Sequence, residues 1–324
     1  MNILFTNFCN QSCPYCFAKE EPALEKKLHP NYIKLKELSV IIDFLKQSKE
    51  TRVGILGGEP TLHPEFKKAM AMVIQAGLGV TIFTNGLMDR DNSTFLKGIQ
   101  ARKCNVLLNL NSPESYTKKQ WSIINRTAGL LRKRMRLGFN IYKLDNDLDF
   151  LVDFIQKYNL EKIIRLGMAV PIFGGNNKYI ELADYPKVSE KIVNFIEKHR
   201  LTGISFTFDC GFTLCSFTDE QLGKLIRLRT TLISSCPPPI DVGPDLKLWH
   251  CFATSRMWNK KLTDFKDLQA VIKFYQTKFK AFRQVGATNG CLRCEYLRLD
   301  YCSGGCLGHT LKAFKLEDRL ENFV

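Results

Sequence analysis

The first two thirds of the chain alternate short apolar, β-branched stretches with amphipathic segments, and this alternation constrains the fold more than any other feature. Periods of about 2 and about 3.6 residues mark such segments as strands and helices. Strict alternation of the two predicts right-handed βαβ units around a parallel sheet. The predicted strands are 2–7, 51–56, 79–84, 105–110, 137–142 and 163–169, with a seventh candidate at 203–209. The predicted helices among them are 33–47, 63–76, 96–102, 118–134 and 147–158.

Six such units favour a partial (β/α)6 TIM-like barrel over an open dinucleotide-binding sheet, because no Gly-x-Gly-x-x-Gly follows any predicted strand. After about residue 210 the composition changes. Helical patterns persist at 218–232 and 264–282, and the remainder is loop-like and rich in cysteine. A segment with few apolar residues needs something other than a core to hold it together. We therefore expect an α/β protein with a barrel domain at 1–209 and a small cysteine-rich domain at 210–324.

Basic residues outnumber acidic ones, since 47 Lys and Arg stand against 32 Asp and Glu and give a net charge of +15. Such an excess favours an anionic partner, which includes nucleic acid, an acidic peptide and a phosphorylated or carboxylated metabolite. The basic residues are spread over the helical stretches 118–143 and 260–283 without a run of four, which is typical of solvated helix faces. Charge alone therefore leaves the partner open.

The sequence contains no run of about 18 apolar residues that would predict a transmembrane helix. Its first residues lack the basic region and cleavage site of a signal peptide. Twelve cysteines without a secretory signal favour metal binding over disulfides. We therefore expect a cytoplasmic protein with metal centres and no membrane partner.

Three cysteines stand close together directly after the first predicted strand: Cys9, Cys13 and Cys16. A loop of this length allows their thiolates to converge on one metal centre. Zinc normally takes four protein ligands, often as two close pairs. Soft thiolates also select iron–sulfur clusters. The lone triplet therefore predicts a [4Fe–4S] cluster with one iron left open to a small molecule.

This cysteine run, with Tyr15 directly before its last member, resembles the signature of radical S-adenosylmethionine (radical SAM) enzymes. Gly57-Gly58-Glu59-Pro60 and Thr84-Asn85-Gly86 follow the second and third strands, as motifs do in that family, and a barrel carries its functional groups at such strand ends. After the fourth strand the family often has Ser-Leu-Asp, where this chain has Asn109-Leu110-Asn111. The resemblance implies that Cys9, Cys13 and Cys16 bind the catalytic cluster. The cofactor contacts that it implies are Tyr15, Gly57, Gly58, Glu59, Pro60, Thr84, Asn85, Asn109 and Arg165.

The cysteines of the C-terminal third resemble the auxiliary-cluster region of the SPASM subgroup of these enzymes. Two cysteines about fifteen residues apart precede a Cys-x2-Cys-x7-Cys-x3-Cys run. The resemblance implies an interleaved ligation of two auxiliary [4Fe–4S] clusters. One takes Cys236, Cys251 and Cys306 with Cys215 as its fourth ligand, and the other takes Cys291, Cys294 and Cys302. On spacing alone the run also matches a zinc site.

Two departures from the subgroup affect this expectation. The family usually has one more cysteine beyond Cys306, which this chain lacks. The second cluster then has an open iron, or takes Asp300 or His309 as a ligand, or is missing, so that one or two auxiliary clusters are expected. Cys210 also competes with Cys215 for the fourth position of the first cluster. Cys104, in the fourth strand, is interpreted as a buried core residue.

The resemblance implies an enzyme that reductively cleaves S-adenosyl-L-methionine to a 5′-deoxyadenosyl radical, which then abstracts a hydrogen atom from an inert C–H bond. An electron donor such as flavodoxin or ferredoxin would supply the electron. Auxiliary clusters favour net oxidation, and many SPASM enzymes crosslink or oxidise side chains of a peptide or protein. The first predicted strand begins at residue 2, so we expect no peptide-recognition domain ahead of the barrel.

Several alternatives remain at this stage. Phe252 follows Cys251 where the sulfatase-maturating relatives carry an aspartate, so formylglycine formation is not expected. Within enzymes, the alternative is dehydrogenation of a small metabolite such as an amino sugar. Two alternatives belong to other classes of protein. One is an iron–sulfur protein that modifies or binds nucleic acid, and the other is a non-catalytic scaffold stabilised by zinc. His63 and His250 flank motifs and are interpreted as local hydrogen-bonding residues.

Overall fold

The computed structural model describes residues 1–18, 31–236 and 239–314. Its strands belong to one ten-stranded sheet. The strands are β1 Asn2–Leu4, β2 Arg52–Leu56, β3 Gly79–Thr84, β4 Cys104–Asn109, β5 Met135–Ile141, β6 Ile163–Met168, β7 Ser205–Phe208, β8 Asp241–Val242, β9 Lys247–Trp249 and β10 Lys260–Lys261. The spatial order is β10-β9-β8-β1-β2-β3-β4-β5-β6-β7, with β1 to β7 parallel. The sheet is unclosed, which confirms the predicted α/β partial barrel.

The helices alternate with the strands of the barrel and continue into the C-terminal region. They are α1 Leu35–Gln47, α2 Phe66–Gln75, α3 Arg90–Gly98, α4 Lys118–Leu131, α5 Asp149–Tyr158, α6 Tyr185–Lys198, α7 Asp219–Arg227, α8 Leu268–Val285, α9 Glu295–Arg298 and α10 Leu307–Ala313. α3 begins and ends earlier than the predicted 96–102, because the Asp89 carboxylate accepts a hydrogen bond from the Asn92 backbone at 2.6 Å and caps the helix there. α6 is absent from the prediction, although Pro186 in its first turn and buried Ile192 and Ile196 are ordinary helix signals.

The C-terminal region extends the same sheet rather than starting a separate one. β8 runs parallel to β1, with Asn2 paired to Asp241. β9 and β10 then continue the sheet as antiparallel strands. The change in composition near residue 210 therefore falls inside a continuous sheet. The division at 209/210 stays a prediction about composition and chemistry.

The barrel strands bury one face under the helices and turn the other towards the lumen, meaning the concave side of β1 to β7. In β3, Val80, Ile82 and Thr84 are buried, and the intervening residues are half-buried. This alternation follows from the two-residue period of a strand. The Arg165 guanidinium on β6 lies over the Phe83 ring on β3 at 5.6 Å, which shows that the half-buried positions face one another across the lumen.

Asparagines on three strands lie over glycines of the next strand. The register pairs are Asn2 with Gly54, Asn109 with Gly138 and Asn140 with Gly167. A Cβ on these glycines would come within 2.0, 2.7 and 2.9 Å of the respective asparagine Oδ1. Because glycine has no Cβ, each carboxamide can lie flat against the neighbouring strand. The lumen is thus lined by amide groups as well as by Arg165.

Candidate functional site

The first three cysteines lie on the loop that leaves β1, at the carboxyl end of the parallel strands. Burial raises the pKa of the Cys9 thiol to about 12, and the nearby charges of Glu59, Cys16 and Cys13 add to the shift, while a hydrogen bond from the Gln11 backbone at 3.4 Å opposes it. The three thiols are therefore close enough to influence one another. A buried thiol of this kind ionises when a metal centre supplies positive charge.

Two asparagine side chains donate towards the sulfurs of this loop. Asn85 Nδ2, after β3, lies 3.6 Å from Cys9 Sγ. Asn111 Nδ2, after β4, lies 3.3 Å from Cys13 Sγ. Amide donors of this kind stabilise thiolates and the reduced state of clusters. The donor set therefore fits a thiolate-bound iron–sulfur cluster.

Asn85 is among the cofactor contacts that the resemblance implies and Asn111 is not, although both follow predicted strands. Asn111 is buried and its carboxamide has three side-chain partners, which are Tyr15, Gln11 and Cys13. The available signal was the motif Asn109-Leu110-Asn111, in which only the first asparagine was selected. Asn111 contacts the cysteine loop. Asn109, two residues earlier, lies over Gly138 in the lumen.

The paired glycines after β2 pack directly against the start of the cysteine loop. Gly58 donates its backbone N–H to Thr6 O at 2.8 Å, and Glu59 donates to Phe8 O at 2.8 Å. A Cβ on Gly57 would lie 2.3 Å from Thr6 O, and one on Gly58 would lie 2.1 Å from Phe8 O. Only glycine permits this approach. The glycines thus fix the position of the cysteine loop against β2.

The Glu59 carboxylate is fully buried and links the ends of β2 and β3. It accepts hydrogen bonds from Thr61 Oγ1 at 2.6 Å, from Thr84 Oγ1 at 2.9 Å and from the Asn85 backbone at 2.7 Å. Burial raises the pKa of Glu59, and these hydrogen bonds counteract part of that rise. The carboxylate therefore holds Thr84 and Asn85 in place. Its predicted contact to the amino group of a cofactor stays a prediction.

Tyr15 and Pro60 occupy buried positions beside these motifs. The Tyr15 ring lies 5.0 Å from that of Tyr142, and its hydroxyl donates to Asn111 Oδ1. Burial holds the pKa of Tyr15 well above its ordinary value, so the hydroxyl stays a donor. Pro60 begins the 3₁₀ turn Pro60–Leu62, where its missing N–H costs no hydrogen bond. Both residues support the loops that carry the cysteines and Glu59.

Arg165 forms an ion pair with Asp209, which follows β7. The exposed fraction of the side chain is 32% for Arg165 and 26% for Asp209. An ion pair with this much solvent contact contributes little to stability. Asp209 was not selected from the sequence. The pair places one positive and one negative group at the lumen beside Cys210, the next residue in the chain.

The C-terminal cysteines form two groups. In the first, burial raises the pKa of the Cys251 thiol to about 12 and that of Cys306 to about 11, with the neighbouring Cys236 adding to both shifts. Cys210 keeps exposed surface, yet the protein around its thiol desolvates it and raises its pKa well above the ordinary value, with Asp209, Cys236 and Cys306 adding. The first group is therefore Cys210, Cys236, Cys251 and Cys306.

The second group lines one cavity of about 200 Å³. Its cysteines are Cys215, Cys291, Cys294 and Cys302. Partial burial raises the pKa of Cys215, with the other three thiols adding. This differs from the expected interleaving, which put Cys215 with Cys236. Neither Asp300 nor His309, the expected substitutes for a missing cysteine, is among the residues that line the cavity.

Three other residues, Cys104, His63 and His250, are interpreted from the sequence as a core residue and two hydrogen-bonding residues. Cys104 is buried in the core. His63 Nε2 lies 2.7 Å from Ile33 O, and His63 Nδ1 accepts from the Glu65 backbone at 3.0 Å, which is a local hydrogen-bonding role. His250 is buried, but its Nδ1 has no hydrogen-bond partner in the described part of the chain, and burial lowers its pKa to about 3. The expected hydrogen-bonding role of His250 is therefore not seen, and its ring instead lies 6.0 Å from the Tyr275 ring and 4.8 Å from the Phe279 ring.

Within residues 1–18, 31–236 and 239–314, no group of three or more His, Cys, Asp or Glu side chains has the arrangement of a site for a single metal ion. The described helices also include none with the length and apolar character needed to cross a membrane. The cysteine groups nevertheless provide the soft thiolate donors that iron–sulfur clusters take.

Comparison with known proteins agrees with the site geometry. Residues 3–141 match the family model of the Radical SAM superfamily. The chain is 29% identical over 153 residues to 7-carboxy-7-deazaguanine synthase of Thermoplasma acidophilum, covering 47% of this chain and 66% of that protein. It is 26% identical over 196 residues to GTP 3′,8-cyclase of Alkaliphilus oremlandii, covering 59% and 58%. The chain thus spans less than two thirds of the length of these curated relatives.

Among solved structures, the fold is similar to that of Streptococcus suis SuiB bound to S-adenosylmethionine, with a TM-score of 0.64 at 16% identity over 96% of this chain and 73% of that one. SuiB bound to its precursor peptide SuiA gives the same TM-score and identity, over 96% of this chain and 72% of SuiB. The likeness therefore takes in the barrel and the cysteine-rich region together. The chain carries a domain of the radical SAM superfamily, which takes in residues 3–141.

Proposed function

We propose that this protein is a radical SAM enzyme that oxidatively modifies a C–H bond in a peptide or protein, by crosslinking or by side-chain oxidation. The observation that carries the proposal is the thiol loop of Cys9, Cys13 and Cys16 at the mouth of a lumen lined by amides and one arginine. When bound, a [4Fe–4S] cluster and S-adenosyl-L-methionine supply reductive cleavage to a 5′-deoxyadenosyl radical, which abstracts a hydrogen atom from the substrate.

The chain's own residues orient and shield this chemistry. Cys9, Cys13 and Cys16 would hold the cluster. Asn85 and Asn111 donate to its sulfur ligands. The methionyl amino group would be held near Gly57-Gly58-Glu59-Pro60, and the remainder of the cofactor near Thr84, Tyr15 and Asn109. Arg165 would bind a carboxylate of the cofactor or substrate beside its ion pair with Asp209, and its partial exposure and its position in the lumen support this role.

A peptide substrate has support from the extent of the SuiB likeness, which covers 96% of this chain and includes a SuiB structure with precursor peptide SuiA bound. The auxiliary-cluster domain at 210–324 belongs to this proposal, with the barrel at 1–209. The cysteines of this region would hold one or two auxiliary [4Fe–4S] clusters, which would supply an electron acceptor for the oxidation. Net oxidation by two electrons then removes two hydrogen atoms from the peptide.

A second candidate substrate is a nucleotide or nucleobase. The curated relatives include GTP 3′,8-cyclase and 7-carboxy-7-deazaguanine synthase, and the net charge of +15 suits an anionic ligand. These two matches cover 47% and 59% of this chain. If the substrate is a small metabolite rather than a peptide, these relatives favour a nucleotide or nucleobase. Nucleic acid is retained as a less favoured partner on charge alone.

The proposal also includes a reducing compartment and an electron donor. Reduced thiol ligands are maintained in the cytoplasm, where we place the protein. A small electron carrier such as flavodoxin or ferredoxin would deliver the electron that starts each turnover.

Anaerobic reconstitution followed by dithionite reduction tests the proposal. The wild type should release 5′-deoxyadenosine from S-adenosylmethionine, and a Cys9/Cys13/Cys16→Ala variant should release none and lose about four irons. Candidate precursor peptides and GTP are then added separately. A peptide that loses two hydrogen atoms by mass spectrometry supports the first candidate, whereas GTP turnover supports the second. Retention of all iron and activity in the triple variant would refute both.

A further inference from the structure

We infer that Cys215 is the fourth thiolate of a closed second auxiliary cluster, with Cys291, Cys294 and Cys302 as the other three. This inference rests on the proposed function only in taking the C-terminal cysteines as cluster ligands. It supplies the ligand that the sequence leaves missing after Cys306. It also moves Cys215 out of the first auxiliary site, where Cys210 takes its place.

The cavity geometry carries the inference. All four thiols line one space of about 200 Å³. Cys215 lies in the 3₁₀ turn Leu214–Ser216 that follows β7, so this ligand comes from the end of the barrel rather than from the C-terminal cysteine run. The Thr213 hydroxyl lies 3.3 Å from Cys215 Sγ and lines the same cavity. The Thr288 hydroxyl lies 3.4 Å from Cys291 Sγ in a matching position.

The cavity walls are largely apolar, although Cys215 itself is an exposed residue at the cavity's edge. Leu182, Pro186, Leu214 and Leu297 contribute apolar surface. Soft, charge-delocalised clusters bound by cysteine are tuned by such burial and by the few hydrogen bonds to sulfur. The Thr213 hydroxyl beside Cys215 and the Thr288 hydroxyl beside Cys291 provide those hydrogen bonds. Four thiolates and no carboxylate or imidazole then form the complete ligand set in the described lining.

The loops that carry the three C-terminal thiols are fixed by glycine packing. Gly286 and Gly304 both have positive φ angles of 73°. A Cβ on Gly286 would lie 2.6 Å from Cys291 Sγ, and one on Gly304 would lie 2.8 Å from the Gly286 Cα. The Ala287 backbone donates to Gly304 O at 2.8 Å. These contacts pack the segment that precedes Cys291 against the segment that follows Cys302, so that both cysteines line the same cavity.

The neighbouring first group is joined to the second through Ser303. The Cys236 backbone donates to Ser303 Oγ at 2.7 Å, and Ser303 directly follows Cys302. Because Cys215 lines the cavity of the second group, Cys210 is left as the candidate fourth ligand beside Cys236, Cys251 and Cys306. Each group therefore contains four thiols when Cys210 and Cys215 are divided in this way. Both auxiliary clusters are then fully ligated by protein, and the substrate does not coordinate either one.

A thiol-removal series in two backgrounds tests the assignment. The first background is wild type, and the second is Cys291/Cys294/Cys302→Ala, which removes the second site. In the second background, adding Cys215→Ala should leave the iron count unchanged, because its cluster is already lost. Adding Cys210→Ala there should reduce the iron count or alter the spectrum of the first auxiliary cluster. Cys104→Ala, a buried core cysteine, is the matched control in both backgrounds.

Spectroscopy in the first background gives an independent measurement. Cys215→Ser should change the electron paramagnetic resonance signal of the same cluster that disappears in Cys291/Cys294/Cys302→Ala. Further iron loss on adding Cys215→Ala to the second background would overturn the inference. So would an unchanged iron count on removing Cys291, Cys294 and Cys302. Circular dichroism checks that each variant is folded. If an alanine variant is unfolded, the electron paramagnetic resonance comparison with Cys215→Ser tests the inference instead.

The proposed function has its own readout. Failure of 5′-deoxyadenosine release with the predicted iron pattern intact would refute the proposed activity and leave the Cys215 assignment standing. The reverse pattern, with release intact and Cys215 independent of the second site, would refute only the assignment.

Discussion

The Tyr15 hydroxyl donates a hydrogen bond to the side-chain carbonyl oxygen of Asn111, so that the Asn111 amide nitrogen is turned towards the cysteine loop. That nitrogen lies 3.3 Å from Cys13 Sγ and 3.3 Å from Gln11 Oε1. The Asn111 backbone N–H in turn donates to the Tyr116 hydroxyl at 2.8 Å. A carboxylate at position 111 would have no N–H to offer the sulfur. Asparagine is therefore the residue that suits a thiolate here.

Replacing Asn111 with leucine should lower the reduction potential of the N-terminal cluster. The hydrogen bond to Cys13 stabilises the more negative, reduced state, and a net contribution of about 1 kcal/mol corresponds to a shift of roughly 40 mV for one electron. Redox titration monitored by electron paramagnetic resonance measures it. Tyr15→Phe should give a smaller shift in the same direction, because it frees the amide without removing it. An unchanged potential in Asn111→Leu would show that the contact does not tune the cluster.

Replacing Gly58 with alanine should displace the cysteine loop. The new Cβ would lie 2.1 Å from Phe8 O, and because that atom is backbone, relief requires the loop itself to move. Overpacking of this kind costs about 1–3 kcal/mol. We expect a lower melting temperature and loss of about four irons on reconstitution.

The matched control is Gly98→Ala at the end of α3, where a Cβ would meet nothing within 4 Å. This change should leave iron content unaltered and stabilise the protein by up to about 1 kcal/mol. Equal iron content in Gly58→Ala and Gly98→Ala would contradict the role assigned to the close approach at Gly58.

The sequence predicted the barrel and the position of its motifs because both depend on local periodicity. Strand ends that carry Cys9, Gly58 and Asn85 meet at one edge in any parallel sheet, so their proximity follows from alternation alone. The grouping of Cys210 and Cys215 follows instead from how the turn after β7 packs against the C-terminal loops. No spacing rule contains that information. Asn111 differs, because its motif does follow the fourth predicted strand, but which of the two asparagines reaches Cys13 depends on where β4 ends, and it ends at Asn109.

Arg165→Ala separates a ligand-binding role from a packing role. The ion pair with Asp209 is partly exposed, so its loss should change stability by no more than about 1 kcal/mol. A charged hydrogen bond to a ligand is worth about 1.5–3 kcal/mol, which predicts at least roughly tenfold weaker binding of cofactor or substrate. Equilibrium binding and thermal unfolding measured on one sample test this. A large loss of stability with unchanged binding would instead assign Arg165 to packing.

Asp241 should make the protein less stable as the pH rises from about 4 to about 7. Burial raises the pKa of this carboxyl to about 7, although the Asn2 side chain donates to it at 2.7 Å. The unfolded chain has an aspartate pKa of about 3.9. Below that value both states are protonated, and above pH 7 both are ionised. Between the two values only the unfolded state has released its proton, so the folded state progressively loses stability.

Asp241→Asn should remove this dependence, since the amide oxygen still accepts from Asn2 and carries no charge. The difference between a pKa of about 7 in the folded protein and about 3.9 in the unfolded chain sets an upper limit of roughly 4 kcal/mol for the gain. The melting temperature of the variant should match wild type below about pH 4, exceed it increasingly up to about pH 7 and differ from it by a constant amount above that. Asp149→Asn is the opposite control. A hydrogen bond from His199 lowers the pKa of Asp149. Replacing the Asp149 carboxylate should therefore destabilise the protein slightly at pH values above about 4. A pH-independent difference between Asp241→Asn and wild type would show that Asp241 is ionised in the folded protein throughout this range.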